Sequence, residues 1–253
     1  MSELKALIFD VDGTLADTER DGHRVAFNRA FVEKGLDWDW SVELYGKLLA
    51  VTGGKERMKY YLEHFNTEFQ APGDLDAFVA ELHATKTRYY TELLATGEIP
   101  LRPGVERLIN EAREQGLRLA IATTTTPENV TALLVNTLGE ESISWFEVIA
   151  AGDIVPAKKP APDIFDYALK AMGLEPQYCI AFEDSANGIK SSLGAGLKTI
   201  ISVSSYTHDE DFTGATLVLD HWGEPDNPCH VLSGDMHGAT CLDMEAVRQQ
   251  HRL

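Results

Sequence analysis

Asp10-Val11-Asp12-Gly13-Thr14 follows directly on the apolar run of residues 4–9, which only Lys5 interrupts. A short apolar run closed by a glycine turn reads as a buried strand, and this one ends in two carboxylates. Aspartates at i and i+2 on a loop can aim into one small volume. Two unit charges about 4 Å apart repel by about 4 kcal/mol at an effective dielectric near 20. A divalent cation held by hard oxygens would offset that repulsion. The stretch is therefore a candidate catalytic site, the alternative being an acidic turn at the end of a surface strand.

Moving outward, residues 20–96 carry helical spacing and no convincing strand. Helices are expected over 20–34, 44–49, 58–65 and 74–96. A glycine-rich loop, Val51-Thr52-Gly53-Gly54-Lys55-Glu56-Arg57, leads into the third. The long helix 74–96 places Leu75, Phe78, Val79, Leu82, Tyr89 and Leu93 on one face. After the breaker Pro100-Leu101-Arg102-Pro103-Gly104 the pattern changes to alternation. Strands are expected at 117–122, 146–150, 179–182, 198–203 and 216–219, and helices at 105–115, 127 onward, 162–172 and 186–193. Alternating strands and helices imply right-handed crossovers and a mostly parallel sheet. The expected architecture is α/β, a Rossmann-like doubly wound core with an inserted four-helix-type cap. Residues 1–17 and 98–220 form the core, 18–97 the cap, and 221–253 a C-terminal extension ending in a short helix over 243–250.

The chain has 253 residues, 44% hydrophobic, with 22 basic against 40 acidic side chains and a net charge of −18. A sizeable core can form. So acidic a chain is expected to bind neither nucleic acid nor an anionic membrane, and an anionic substrate needs locally placed cations. Cys179, Cys229 and Cys241 show no disulfide framework and no zinc spacing. Cys179, in an apolar run, reads as a buried core thiol, and a reducing compartment is expected. No signal peptide, transit peptide or 18-residue apolar span is visible, so a soluble cytoplasmic protein, and a monomer, are expected.

In a parallel sheet, ligands sit beyond the carboxyl ends of the strands. There the first strand brings Asp10 and Asp12, the second Thr123, Thr124 and Thr125, and the fourth Glu183-Asp184-Ser185. Lys158-Lys159-Pro160 follows the third. Carboxylates from two strand ends can hold Mg²⁺, while hydroxyls and a lysine bind phosphate oxygens. One carboxylate can attack phosphorus and a second can move protons. Taken singly, each piece has an ordinary reading: loop hydroxyls, a solvated turn, a helix cap.

Taken in order, Asp10-Val-Asp-Gly-Thr14, Thr123, Lys159-Pro-Ala-Pro-Asp163 and Glu183-Asp-Ser185 resemble the four motifs of the haloacid dehalogenase superfamily of phosphotransferases. The likeness runs over residues 5 to about 220, in the branch with a helical cap after the first motif. It implies Asp10 as nucleophile, Asp12 as general acid/base, and Thr123, Thr124 and Lys159 as phosphate ligands. It implies Mg²⁺ at Asp10, the Asp12 backbone carbonyl and Asp184, with Glu183 nearby. Dehalogenases of the superfamily lack the second aspartate, so Asp12 favours phosphoryl transfer.

The cap segments Glu19-Arg-Asp-Gly-His23-Arg24, Gly53-Gly54-Lys55-Glu56-Arg57 and Leu82-His83-Ala-Thr-Lys86-Thr87 resemble the CbbY-type sugar-phosphate phosphatases. Those act on xylulose-1,5-bisphosphate, a misfire product that inhibits Rubisco. This implies a small sugar (bis)phosphate as partner and a Calvin-cycle role. Lys86 lies inside the apolar stripe of its helix, so it either snorkels to solvent or faces a cleft. With His83, Lys55 and Arg57 it could form a cationic pocket for a second phosphate. The plainer alternative is surface pairing, as by Glu81. A P-loop reading of Gly54-Lys55 fails, because Glu56 stands where Ser or Thr is required. The rival activities are a phosphomutase of the β-phosphoglucomutase type and a broad-specificity phosphatase. A catalytically retired binding protein is argued against by the intact Asp10, Asp12, Thr123, Lys159 and Asp184.

Overall fold

The computed structural model describes residues 3–253. β1 (Ala6–Phe9) is followed by four helices, α1 (Arg24–Glu33), α2 (Val42–Leu48), α3 (Gly54–His64) and α4 (Leu75–Ala95). The chain then alternates through α5 (Val105–Glu114), β2 (Arg118–Ala122), α6 (Pro127–Leu138), β3 (Phe146–Ala150), α7 (Asp163–Met172), β4 (Cys179–Glu183), α8 (Ala186–Gly194) and β5 (Lys198–Ser202). It ends with β6 (Leu217–Leu219), β7 (Val231–Ser233) and α9 (Met244–Arg252).

The strands form one sheet in the order β3-β2-β1-β4-β5-β6-β7, parallel except for the last pair. Its two faces follow from the period of two along each strand. Leu7 and Phe9 point into a core with α5, α6 and α9, and Ala6 and Ile8 into a core with α7. α5 shows why its segment is helical: Val105, Leu108, Ile109 and Ala112, spaced i, i+3, i+4, i+7, are all buried. On the larger face Phe9 stacks on Phe182 with ring centroids 4.8 Å apart, and Trp222 closes on both.

The inserted helices have an aromatic core of their own. Phe27, Phe31, Trp38, Trp40, Tyr45 and Tyr61 interlock there, with Trp40 and Phe27 centred 4.7 Å apart. Ser41 and Asp74 cap α2 and α4 by accepting from the N–H of Leu44 and Ala77. The insertion is also anchored in the sheet, because Tyr90, Leu93 and Leu94 at the end of α4 pack into the larger core.

Three sequence expectations need correction. Gly54 to Arg57 are the first turn of α3 rather than loop, since only Gly53, at φ 93°, holds the turn conformation. On α4 the buried aromatic is Tyr90, not Tyr89, and Leu75 is exposed. The stretch after residue 220 supplies the seventh strand and sends Trp222, Met236, Leu242 and Val247 into the main core. Its sparse apolar residues are scattered over loops, so they show no period in sequence. Among the described residues no helix is long and apolar enough to cross a membrane.

Arg102, within the proline-glycine breaker, ties the sheet edge together. Its guanidinium donates to the carbonyl oxygens of Gly13, Ser202 (3.0 Å), Val203 (2.5 Å) and Asp220 (2.6 Å). Removing it strands these part-buried acceptors. Arg102→Ala is expected to destabilise the fold by about 2–4 kcal/mol, read from chemical denaturation midpoints.

Candidate active site

The carboxyl ends of β1, β2 and β4 are adjacent in the sheet, so their following residues meet at one edge. Asp10 ends β1. Asp10 is 6% exposed, and its carboxylate accepts from Lys159 Nζ at 2.6 Å and Thr14 Oγ1 at 3.3 Å. Lys159, reached across a cis peptide to Pro160, also donates to Glu183 Oε1 (2.5 Å) and the Ala122 carbonyl (2.9 Å). Those three bonds use every donor of the ammonium.

Oxygens of Asp10, Glu183 and Asp184 lie within 4.8 Å of one another, all buried. Burial pushes the Asp10 carboxyl up despite the Lys159 charge. Burial raises Glu183 to about 8 and Asp184 well above the usual range, with Asp10 adding to both. Lys159 bonds Asp10 and Glu183 but not Asp184, so the crowded carboxyls hold protons more tightly than free ones, and hard oxygen donors so placed suit a divalent cation. Two glycines make room for them. A Cβ on Gly13, which also needs its φ of 84°, would collide with the Asp184 carboxylate, and one on Gly188 with that of Glu183.

Asp12 stands apart from this cluster, so its carboxylate is not among the groups that could share an ion there. It turns toward the insertion, accepting from His23 Nε2 at 2.8 Å and Thr18 Oγ1 at 2.5 Å. Burial alone would raise its pKa. The His23 ring and the two hydrogen bonds outweigh that and hold it well below the usual carboxylate range. His23 stacks on Tyr90 with centroids 3.9 Å apart and places Nδ1 2.7 Å from Lys86 Nζ. Burial lowers Lys86 to about 8, against the pull of Asp12 and Glu19.

A cavity beside Asp10 is lined by Asp12, Glu19, Arg57, Thr123, Thr124 and Lys159, among others. A second, adjoining cavity gathers Asp12, Glu19, His23, Gly53, Gly54, Arg57, His83, Lys86 and Thr124. Most of the insertion residues singled out in sequence thus meet at the sheet edge. Lys55 is not part of that lining: it pairs with Asp153 of the sheet side and borders a neighbouring cavity with Gly53, Gly54 and His83. His83 brings no charge near neutral pH, since burial, with Lys86 and Lys55, lowers it to about 3. The cations of this cavity are therefore Arg57 and Lys86.

Tyr45 was not legible in sequence. Its hydroxyl donates to Glu19 Oε2 at 2.5 Å and accepts from Arg57 Nη1 at 2.7 Å, fixing both. Ser204 and Tyr206, also unforeseen, line the cavity from the loop after β5. The only signal was their place just beyond a strand end.

The chain matches the haloacid dehalogenase-like hydrolases over residues 4–196, and it belongs to that family. It is 51% identical to the protein CbbY of Rhodobacter capsulatus over 224 residues, 88% of this chain and 94% of that one. Its fold superposes on CbbY from Rhodobacter sphaeroides in complex with phosphate, with a TM-score of 0.81 and 46% identity over 87% of this chain and 96% of that one. A mutant of the latter, crystallised with xylulose-1,5-bisphosphate, matches equally well, at a TM-score of 0.81. β-Phosphoglucomutase from Clostridium difficile, 21% identical, shares the fold at a TM-score of 0.74, covering 98% of this chain and 97% of that one.

The raised carboxyls predict a pH dependence. Glu183 titrates near 8 when folded and near 4.5 when unfolded, so the folded state binds the extra proton. In chelator, that contribution is complete at low pH and is lost as pH rises toward about 8. Millimolar Mg²⁺ is expected to raise the thermal midpoint, and to raise it more at high pH than at low, in unfolding scans with and without EDTA.

Proposed function

We propose that the protein is a Mg²⁺-dependent sugar-phosphate phosphatase whose substrate is xylulose-1,5-bisphosphate, released as xylulose 5-phosphate. The observation that carries the reading is the Asp10–Lys159–Glu183–Asp184 cluster lining one cavity together with Arg57, which also lines the adjoining cavity that holds Lys86. The ligand bound to the 46% identical structure supports the same substrate. Removal of that bisphosphate would serve the Calvin cycle by clearing an inhibitor of Rubisco.

In this reading Asp10 attacks phosphorus and becomes an aspartyl phosphate. Asp12 gives a proton to the departing sugar oxygen and then takes one from the attacking water, a role worth roughly 10²–10⁴-fold. The ionised Asp12 held by His23 and Thr18 is the form the second step requires. For the first step the carboxyl must carry a proton, so its contact with His23 gives way to the leaving oxygen. Thr123, Thr124 and Lys159 hold the transferring phosphoryl oxygens. Asp10 and Asp184, with the Asp12 carbonyl and Glu183 nearby, would hold Mg²⁺, which supplies a positive charge to the phosphoryl oxygens when bound. Residues 18–97 act as the cap over the sheet core of 1–17 and 98–220. Glu19, His23, Gly53, Gly54, His83, Lys86 and Arg57 shape the sugar end of the site.

The deciding experiment is phosphate release, with Mg²⁺, from xylulose-1,5-bisphosphate beside ribulose-1,5-bisphosphate and β-glucose 1-phosphate. Strong preference for the first is expected. Equal weak release from all three, or glucose 6-phosphate accumulating without free phosphate, would overturn the assignment in favour of a broad phosphatase or a mutase. Asp10→Asn is expected to abolish turnover while leaving the circular dichroism spectrum and thermal midpoint in place. Residual rates near wild type would remove Asp10 as nucleophile. Arg57→Ala or Lys86→Ala is expected to raise KM about 10–100-fold for the bisphosphate and less for a monophosphate, by loss of a charge-assisted hydrogen bond.

A further inference from the structure

Two cysteines near the end of the chain take no part in the site. Cys229 and Cys241 are half-buried and both border Gly223. A methyl group placed on Gly223 would stand 3.1 Å from the Cys241 Cβ and 3.2 Å from the Cys229 Cβ. The two Cβ atoms therefore border the same space that glycine leaves open, and are no more than about 6.3 Å apart. Main-chain bonds fix the arrangement. The Cys229 N–H donates to the Thr240 carbonyl at 2.9 Å, and the Leu242 N–H to that of Trp222 at 2.7 Å. The Arg107 guanidinium clamps both sides, donating to the carbonyls of Gly223 at 2.7 Å and Leu242 at 3.3 Å. Disulfides need Cβ atoms about 3.5–4.5 Å apart, and the Cys229 sulfur rests 3.4 Å from the Thr240 carbonyl oxygen and 3.7 Å from the Met236 sulfur, so closure turns it toward Cys241. Cys179 lies in the core on the other face of the sheet. Among the described residues, the group of His, Cys, Asp and Glu side chains that converges on an ion-sized point is Asp10, Glu183 and Asp184, so the thiols are not part of a metal cage.

We propose that Cys229 and Cys241 are a reversible redox pair that closes into an intrachain disulfide by exchange with an external disulfide, either a small molecule or a carrier protein. One cysteine thiolate attacks a sulfur of that disulfide. The external S–S bond breaks, a mixed disulfide forms and one external thiol leaves, taking up the proton that the cysteine lost. The second cysteine, as thiolate, attacks the protein sulfur of the mixed disulfide. The Cys229–Cys241 bond forms and the second external thiol departs with the other proton. The two cysteines lose two electrons in total and the external disulfide gains them. The closed loop encloses β7, an edge strand with Val231 and Leu232 exposed, and Met236, which packs in the main core.

The test is to equilibrate the full chain with glutathione at increasing oxidised-to-reduced ratios, quench by alkylation, and weigh the protein and its tryptic peptides. Two of the three thiols are expected to become protected. The mass should fall by about 2 Da with no glutathione retained, and a single peptide pair should link residues 229 and 241. The thermal midpoint should rise by roughly 5 °C over the reduced form. Cys229→Ser and Cys241→Ser should each abolish the mass loss and the shift. Three freely alkylated thiols at every ratio, glutathione adducts that never resolve, or cross-linked dimers would overturn the proposal. The thiol count on the unaltered chain decides the matter even where a serine variant fails to fold.

Discussion

Three carboxyl groups crowd together at the edge of the sheet with one ammonium bonded to two of them, and much of the molecule is arranged to hold that cluster in place. Asp10 comes from β1, Glu183 and Asp184 from the end of β4, and Lys159 from the loop after β3. β1 and β4 are neighbours, so the parallel register that pairs Phe9 with Phe182 sets Asp10 beside Glu183. The cost of burying these charges falls on the surrounding structure. Gly13 and Gly188 give up side chains so that the carboxylates fit, and Arg102 draws the loops after β1, β5 and β6 together. A site held this rigidly has its charges in position before any phosphate arrives, which is the condition for electrostatic catalysis.

The second aspartate belongs to a different neighbourhood. Only Val11 separates it from Asp10, yet its hydrogen bonds run to Thr18 and His23 at the start of the insertion. Lys86 then joins His23 from α4, a helix rooted in the sheet core by Tyr90, Leu93 and Leu94. The protonation of Asp12 is thereby coupled to the placing of the inserted helices, whereas that of Asp10 is coupled to the sheet. Arg57 and Glu19, locked by Tyr45, extend the same neighbourhood toward the cavity.

The strands, their order of polar ends and the four motif segments were legible because each is local. An apolar run is a strand wherever it packs, and an aspartate just beyond it must lie at the sheet edge. The residues at the strand ends therefore could be placed at one edge from the sequence, whereas for Lys86 the sequence left solvent and cleft both open and only the structure buries it. Lys55 did not follow its neighbours: it sits two residues from Arg57, but α3 begins at Gly54 and sends the two side chains in different directions. His83 lost its expected charge to burial, which no local pattern reports. Tyr45 and Arg102 carry no motif, and their roles exist only through partners distant in sequence.

The sequence by itself determined the fold class, the family and the carboxylates and lysine that gather at one edge. Periodicity and short motifs encode these, since both act over a few residues. The tertiary structure alone decided which cations face the cavity, how Asp12 differs from Asp10, and that the last stretch completes the sheet and brings Cys229 to Cys241. Each of these depends on burial and on contacts between segments far apart in the chain, and pairwise distances of that kind are set only when the whole core has closed.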